Sequence, residues 1–152
     1  MPVTPSLPAL RVEGGWRTTE ESWTRFAGGL RLRRGDAEAT VRVERCAAGR
    51  LRETYPVGAH DVEIWVGDDA PADATPDLLR ALVRAVRLAD PRCRRVVNAL
   101  AEGDRIAAEA AEAAGFRYVV AVDLPDDQLS LFVYEPTWVT ATDPDLDHVP
   151  GT

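Results

Sequence analysis

The sequence contains no lysine, and all 18 of its basic residues are arginines, a usage that is typical of a GC-rich bacterial genome. Aspartate and glutamate together number 25, so the formal net charge is −7 at pH 7. A net acidic surface argues against binding to nucleic acids or to anionic membranes, because both require clustered positive charge. The same surface is compatible with a cationic or amine-bearing ligand.

Cysteine and long apolar runs are also scarce. The two cysteines, Cys46 and Cys93, have no metal-ligand spacing and are interpreted as reduced packing residues. No apolar run approaches the ~20 residues that a membrane-spanning helix needs. The opening residues, MPVTPSLPAL, lack a basic segment followed by a long apolar region, so we expect no secretory signal and a cytoplasmic protein.

Several common catalytic and ligand-binding motifs cannot be assembled from this chain. It has no Ser-His-Asp set, no zinc-ligand spacing, no phosphate-binding P-loop and no Rossmann fingerprint, and we predict no metal site. A length of 152 residues predicts one domain. Its core is expected over about residues 9–136, and residues 137–152 form an acidic tail that carries Trp138 and His148.

The first part of the chain is predicted to form a strand and then a short helix. Residues 9–13 have the composition of a strand. Glu21 stands three residues after Thr18, which is the spacing of a capping box at a helix start. We therefore predict a helix over residues 18–27 that ends at Gly28-Gly29. The aromatic residues of this region are interpreted as core: Trp16, Trp23 and Phe26.

The middle of the chain predicts a hairpin, a connection and a central strand. Residues 30–34 and 37–46 alternate in polarity around Gly35-Asp36, as the two strands of a hairpin do. The connection over residues 47–58 carries Arg50 and Arg52, which are interpreted as solvated. The central strand, residues 60–66, reads HDVEIWV. One of its faces holds His60, Val62, Ile64 and Val66, and the other holds Asp61, Glu63 and Trp65.

A loop and a helix follow the central strand. The loop, residues 67–75, reads GDDAPADAT, and Thr75 is predicted to cap the next helix while Pro76 occupies its first position. Apolar residues then recur at helical spacing until Asp90-Pro91 ends the helix. They are Leu78, Leu79, Leu82, Val83 and Val86.

The stretch over residues 94–136 predicts a strand, an alanine-rich helix and a second hairpin. Asp104 is the expected N-cap of the helix, and Gly115 is expected to end it in the left-handed conformation. The predicted elements are a strand at residues 95–100, a helix at 104–114, and strands at 116–124 and 129–135 around a turn at 125–127.

Within that stretch, DRIAAEAAEAAGF (residues 104–116) resembles a pattern of the GNAT acyltransferase superfamily, N-x-x-A-x-x-L-Y-E-x-x-G-F. Asp104 stands where the family has Asn, and Ala111 stands where it has Tyr. The resemblance covers roughly residues 9–136. It implies an α/β fold with a mixed, mainly antiparallel central sheet flanked by three to four helices. The positions that match the pattern are Ala107, Ala110, Glu112, Gly115 and Phe116.

The resemblance implies acetyl-CoA or another acyl-CoA as cofactor. The family binds the pyrophosphate with backbone N–H groups at a helix start, in a motif that resembles R/Q-x-x-G-x-G/A. Here that motif falls on residues 70–75, where Ala70, Asp73 and Thr75 replace the expected types. Nearby carboxylates repel phosphates, so weak binding is expected, and binding of CoA at all is left open. The candidate cofactor-binding residues are Val66, Gly67, Thr75, Arg80, Asn98 and Arg105.

The resemblance also implies acyl transfer to an amine, which needs a base and usually an acid for the leaving thiolate. The family often uses as acid the tyrosine at the position of Ala111, and alanine has no proton to give. Glu63 is the candidate base, because burial in mid-strand would raise its pKa; the alternative is a carboxylate paired with arginine. His60 is the second candidate. Tyr118 and Tyr134 are interpreted as sheet residues.

Asn98 is the one amide in an otherwise apolar strand, where a buried amide needs partners. The resemblance implies that the central strand, residues 60–66, separates from its neighbour and opens a cofactor cleft. Asn98 is expected to form a hydrogen bond across that cleft or to a ligand amide.

Three functions remain open at this point. The leading one is an N-acyltransferase that moves an acyl group from acyl-CoA to an amine of a small molecule. The second is a GNAT-fold protein that has lost acyl transfer and acts as a binding or partner subunit. The third uses the same cleft for other biosynthetic chemistry. The resemblance leaves room for a homodimer, and neither nucleic acid nor membrane is an expected partner.

Overall fold

The computed structural model describes residues 3–135, in which seven strands form one mixed sheet. In chain order the elements are β1 (Arg17–Trp23), β2 (Ala27–Arg34), β3 (Ala37–Arg45), a 3-10 turn (Cys46–Ala48), β4 (Val62–Val66), α1 (Thr75–Ala89), β5 (Val96–Ala101), α2 (Arg105–Ala113), β6 (Arg117–Asp123) and β7 (Gln128–Tyr134). The strand order is β1-β2-β3-β4-β5-β7-β6. Only β4 and β5 pair in parallel; every other neighbouring pair of these strands is antiparallel. This confirms the predicted mixed, mainly antiparallel sheet. Within residues 3–135 two α-helices flank it rather than the expected three to four, because the segment predicted as the first helix forms a strand.

Both α-helices pack on one face of the sheet. The apolar residues of α1 fall at helical spacing, so one side of the helix buries Leu78, Leu82 and Val86 against the strands. On β4, Val62 and Ile64 point to that side and are fully buried. Because side chains alternate along a strand, the intervening Glu63 points to the opposite face.

The opposite face carries a smaller apolar cluster under the connection between β3 and β4. Cys46 and Leu51 from that connection pack on Val97 and Leu131 of the sheet. Both cysteines are buried free thiols, and burial raises the pKa of each. They are therefore packing residues, as the sequence predicted.

The helix predicted over residues 18–27 is wrong, because this segment forms the edge strand β1 and the turn that follows it. Thr18 and Glu21 resemble a capping box, but the segment pairs with β2 instead. Gly28 is not a helix stop: a side chain there would clash with the indole ring of Trp23, which lies against the bare backbone of β2. Of the three aromatic residues predicted as core, Trp16 is buried and Trp23 packs on the edge of the core, whereas Phe26 is half-buried and belongs to neither apolar cluster.

The strand predicted at residues 9–13 is also wrong. The N-terminal segment forms no ladder. The buried Arg45 guanidinium donates to the carbonyls of Pro5 (3.2 Å) and Ser6 (3.0 Å), and the Leu7 N–H donates to the Arg25 carbonyl at 2.7 Å. Val12 is buried without belonging to a strand.

The later elements follow the sequence pattern closely, with ends that shift by a residue or two. Asp104 caps α2 by accepting from the Ala107 N–H at 3.1 Å, and Gly115 adopts a φ of +101°, so both predictions are confirmed. Thr75 is not the cap of α1, because the N-cap is Ala74 and the Thr75 hydroxyl donates back to the Pro71 carbonyl. The predicted acidic tail, with Trp138 and His148, lies outside the described residues.

Candidate functional site

The sheet opens between β4 and β5. These parallel strands pair at only two positions, Val62 with Val96 and Glu63 with Val97, and then separate towards their carboxyl ends. The separation leaves a V-shaped cleft whose vertex lies at Glu63. Parallel strands with such a gap expose backbone groups that would otherwise pair with each other, so the cleft is a natural place for an extended ligand.

Asn98 bridges the cleft just above its vertex. Its side chain is buried, and its Nδ2 donates to the Ile64 carbonyl on β4 at 3.0 Å. The hydrogen bond that was expected across the cleft is therefore present. It satisfies a β4 carbonyl that β5 no longer reaches, and it fixes how far the two strands part.

A cavity of about 240 Å³ continues from the cleft on the helix-bearing face. Four of the six candidate cofactor-binding residues line it, namely Val66, Gly67, Thr75 and Asn98. Its remaining wall is largely apolar and comes from α1, β5 and α2, with Leu79, Leu100, Ile106, Ala107 and Ala110. Asp68 and Asp104 also line it, so the cavity is a mainly apolar channel with two carboxylates and a few other polar groups at its edge.

The other two candidates point elsewhere. Arg80 ion-pairs with Asp77 and donates to the Ala113 carbonyl at the end of α2, at 2.8 Å. Arg105 is exposed at the start of α2 and lines an adjoining surface depression, which shares Leu100 and Asp104 with the cavity. Neither arginine lines the cavity that contains Asn98.

The loop before α1 uses its own polar groups internally. Asp69 turns back to β3, where its carboxylate accepts from the Thr40 hydroxyl at 2.9 Å and from the Thr40 N–H at 3.2 Å. Burial alone would raise the pKa of Asp69, but these hydrogen bonds hold it below its usual value. The N–H groups of Ala74 and Thr75 both donate to the Pro71 carbonyl, and the next residue is a proline.

Three consecutive positions at the start of α1 therefore have no N–H group to offer to an anion. The carboxylates of the loop add repulsion for phosphate. The loop is therefore poorly suited to hold a pyrophosphate, whereas the cleft beside it is lined mainly by apolar side chains, with the Asn98 amide at its edge.

Glu63 lies at the vertex of the cleft, on the face opposite the helices. It is 3% exposed and borders an open cavity of about 510 Å³. Its closest partner is Arg50, whose Nη2 donates to Glu63 Oε2 at 2.7 Å and whose Nε donates to the same oxygen at 3.3 Å. Glu44 on β3 stands directly across from it in the strand register.

Burial raises the pKa of Glu63 above its usual value, because it penalises the charged carboxylate. Arg50 opposes this shift with its hydrogen bonds and its charge, and Glu44 adds to it as a second carboxylate. The net direction is upward. Glu63 is therefore a buried carboxylate whose affinity for a proton is increased, beside a cavity that can admit a small molecule.

His60 is not brought to Glu63. Its Nδ1 lies 2.8 Å from an Asp90 carboxylate oxygen at the end of α1, and the buried Arg45 guanidinium lies 2.9 Å from the same oxygen. This cluster joins the start of β4 to the end of α1, whereas the cleft opens at the other end of β4. His60 therefore makes a structural contact with Asp90 and does not lie at the cleft.

The position of the family tyrosine, Ala111, is fully buried in the main core. Tyr118 is half exposed on the edge strand β6 and packs edge-on against Phe132. Tyr134 packs on Phe116 and does not line the Glu63 cavity. Both tyrosines are sheet residues, as their pattern predicted.

Arg50 is the site residue that the sequence misassigned. It was expected to be solvated, but it is the cation paired with Glu63. The alternative interpretation of Glu63, a carboxylate paired with arginine, is therefore confirmed. It also borders a second surface cavity of about 730 Å³, between the connection that carries it and the β6–β7 turn. The sequence offers little to predict this pair, because Arg50 lies in a connection without periodicity and nothing in the pattern indicates which carboxylate it contacts.

Residues 3–135 contain no group of three or more His, Cys, Asp or Glu side chains that could hold a metal ion. Over the same residues, neither helix is long and apolar enough to cross a membrane.

No known protein-family model matches the sequence, and no curated protein matches it. Solved structures do match. An uncharacterized protein from Bacillus halodurans superposes with a TM-score of 0.66 at 17% identity, over 74% of this chain and 60% of that one. This chain thus spans less than two thirds of that protein's length.

Two further solved structures are also similar. Aminoglycoside acetyltransferase AAC(6′)-Ib in complex with coenzyme A has a TM-score of 0.62 at 16% identity, over 77% of this chain and 70% of that one. The GNAT domain of S. lividans PAT has a TM-score of 0.50 at 19% identity, over 72% of this chain and 61% of that one. These likenesses establish the fold: the chain has the GNAT fold that its sequence resembles.

Proposed function

We propose that this protein is an acyl-CoA-dependent N-acyltransferase that acts on an amine of a small molecule. The observation that carries the proposal is the placement of Glu63 at the vertex of the β4–β5 cleft. A cofactor arm that follows the cleft ends where the strands meet, and a base is needed at that point. The coenzyme A bound to AAC(6′)-Ib, which shares this fold, supports the choice of cofactor.

In this proposal the cleft residues hold the cofactor arm. The apolar wall of the cavity contacts its methylene and methyl groups, and Asn98 offers its Oδ1 to an amide N–H while its Nδ2 stays on Ile64. The bound acyl-CoA supplies an activated acyl thioester. The phosphate end is held weakly, because the N–H groups of Ala74 and Thr75 are already used.

Glu63 accepts the proton that the attacking amine loses as the N–C bond forms, directly or through a water molecule. The C–S bond of the thioester breaks in the same transfer, and the leaving thiolate takes its proton from solvent, because Ala111 offers none. A raised pKa suits this task, since a base is most effective when its pKa approaches the working pH. The substrate amine enters from the cavity on the face opposite the helices, where Arg42, Glu44 and Trp65 also contribute to the wall. The wall combines two carboxylates, Glu44 and Glu63, with two guanidinium groups, Arg42 and Arg50, so its charge does not select an acceptor of either sign.

Acyl transfer is tested by incubating the full chain with acetyl-CoA, propionyl-CoA and a panel of mono-, di- and polyamines, and by measuring release of free CoA thiol. We expect amine-dependent release that rises with donor concentration without saturating at micromolar levels. Release that does not depend on any amine would count against the proposal.

The second candidate function is binding without acyl transfer. The observation that favours it is the loop before α1, where internal hydrogen bonds and carboxylates occupy the place of a phosphate cradle. Calorimetric titration separates the two functions. An amine ligand that binds while CoA and acetyl-CoA do not, even at millimolar concentration, would favour the binding protein.

A further inference from the structure

A cavity of about 380 Å³ lies on the helix-bearing face, between the C-terminal half of α1, the end of α2 and the end of β7. We call it the arginine pocket, because Arg80, Arg84 and Arg87 of α1 all border it. Its volume is within the range of sites for small molecules. It shares no lining residue with the cavity that contains Asn98 or with the one that contains Glu63.

The three arginines differ in how their charges are balanced. Arg80 is compensated, since it pairs with Asp77 and donates to the Ala113 carbonyl. Arg84 is exposed and makes no hydrogen bond or ion pair with residues 3–135. The Arg87 Nε is buried and has no hydrogen-bond partner among the same residues.

These unpaired guanidinium groups are unexpected in a chain with seven more acidic than basic residues. A buried polar group without a partner calls for an explanation. The nearest carboxylates along the chain do not provide one: Asp77 is engaged by Arg80 and Arg34, and Glu135, next to the pocket residue Tyr134, pairs with Arg117. Arg84 and Arg87 are thus left with positive charge that no described acid neutralises.

The rest of the pocket is apolar. Val83 and Leu88 come from α1, and the ring of Tyr134 from β7. Leu88 is 67% exposed, although it is a large apolar residue. A ligand that fits must therefore combine an oxyanion for the arginine forks with an apolar body for these side chains. Guanidinium groups match the planar or tetrahedral oxygens of carboxylates and phosphates.

We propose that the arginine pocket is a binding site for a small organic oxyanion, a phosphate monoester or a carboxylate with an apolar body. The site lies along α1 from Arg80 to Leu88 and shares no lining residue with the cavity at the candidate cofactor loop. It does not depend on the acyltransferase proposal. Phosphate and carboxylate share the same recognition chemistry, so the experiment includes both.

The test uses calorimetric titration of the full chain with phenyl phosphate, benzoate and the uncharged benzamide. We expect saturable binding of at least one of the two anions at millimolar concentration or below. Benzamide should not bind at the same concentrations, and high salt should weaken the binding of the anion. Equal binding of benzamide, or no binding of either anion, would overturn the proposal.

Variants then locate the site. Arg84→Gln and Arg87→Gln should each weaken anion binding roughly tenfold, as expected for loss of one charge-assisted hydrogen bond. Arg33→Gln, an exposed arginine on β2 that lies outside the pocket, is the matched control and should change the affinity less than twofold. Thermal unfolding checks that each variant is folded; Arg84 is exposed, so its variant should unfold as the parent does. Unchanged affinity in folded Arg84→Gln would place the anion elsewhere and refute the assignment.

Discussion

The placement of Glu63 makes one substitution especially informative. Glu63→Gln keeps the size and shape of the side chain and removes its capacity to accept a proton. If Glu63 is the base for amine acylation, the loss should fall on turnover. A general base contributes ~100- to 10,000-fold to rate, which is ~2.7 to 5.5 kcal/mol of transition-state stabilisation.

The same substitution should leave folding nearly intact, and the structure gives the reason. The pKa of Glu63 is raised in the folded protein, so the folded state binds a proton at Glu63 more tightly than the unfolded chain does. Glutamine is neutral, and its side-chain oxygen can still accept from Arg50. The stability that comes with the raised pKa is fully present below the unfolded-state pKa and is lost as pH rises through the folded one. Glu63→Gln should therefore flatten that part of the pH dependence and should not reduce stability at pH 7.

The assay is initial rate against pH, with one acyl donor and one saturating amine. The parent should lose rate as the pH falls through the raised pKa of Glu63. Arg50→Gln removes the hydrogen bonds and the charge that lower this pKa, so its acid limb should move to higher pH. Glu53→Gln, in the same connection as Arg50 but exposed, is the control and should keep the parent profile.

Full activity of Glu63→Gln, with a parent-like acid limb, would refute the role of this carboxylate. A limb that stays in place in Arg50→Gln would show that another group titrates. Tyr118→Phe and Tyr134→Phe should each change the rate only slightly. A large loss in either would identify an acid that the present geometry does not place at the cleft.

Three further substitutions test the fold and the cofactor cleft. Gly115→Ala should lower the free energy of unfolding by about 1 to 2 kcal/mol in a denaturation assay, because φ is +101° and the added methyl group would lie 3.0 Å from the Tyr134 ring. Gly103→Ala is the control, since φ is +86° but the space around it is open, and it should cost less in the same assay. Asn98→Ala leaves the Ile64 carbonyl without its donor and should cost about 1 to 3 kcal/mol in that assay; no change would mean that the bridge does not hold the cleft. Asp73→Gly removes one loop charge and should tighten CoA binding by about fivefold in calorimetric titration, which corresponds to ~1 kcal/mol; weaker binding would contradict the proposed repulsion.

The sequence predicted the second half of the fold well because its signals there are local. The N-cap at Asp104, the helical spacing of alanines and the glycine at residue 115 each act within one or two turns of chain. The alternation in β3 likewise follows from one buried face. Where a residue contacts neighbours only a few positions away in the sequence, the local sequence pattern is sufficient to predict its structure.

The first half was harder because distant contacts decide it. Thr18 to Glu21 has the composition of a helix start, yet its backbone pairs with β2, and the choice depends on Gly28 accepting the ring of Trp23. Arg50 and Glu63 illustrate the same limit in the site. Their side chains meet through an irregular connection, and no periodicity predicts where such a connection places a guanidinium.

The loop before α1 and the candidate base Glu63 lie on opposite faces of the sheet, so the loop affects cofactor affinity without contacting the base. The cavity with Asn98 and the start of α1 lie on the helix-bearing face, whereas Glu63 lies at the vertex on the opposite face. The carboxylates of the loop, and the N–H groups that Pro71 already accepts, reduce affinity for a phosphate without touching the base. A weak cofactor loop should therefore raise the donor concentration that half-saturates the protein and leave the limiting rate to Glu63. Weak CoA binding and acyl transfer are therefore compatible properties of one site. Rates measured only at low donor concentration would underestimate the limiting rate.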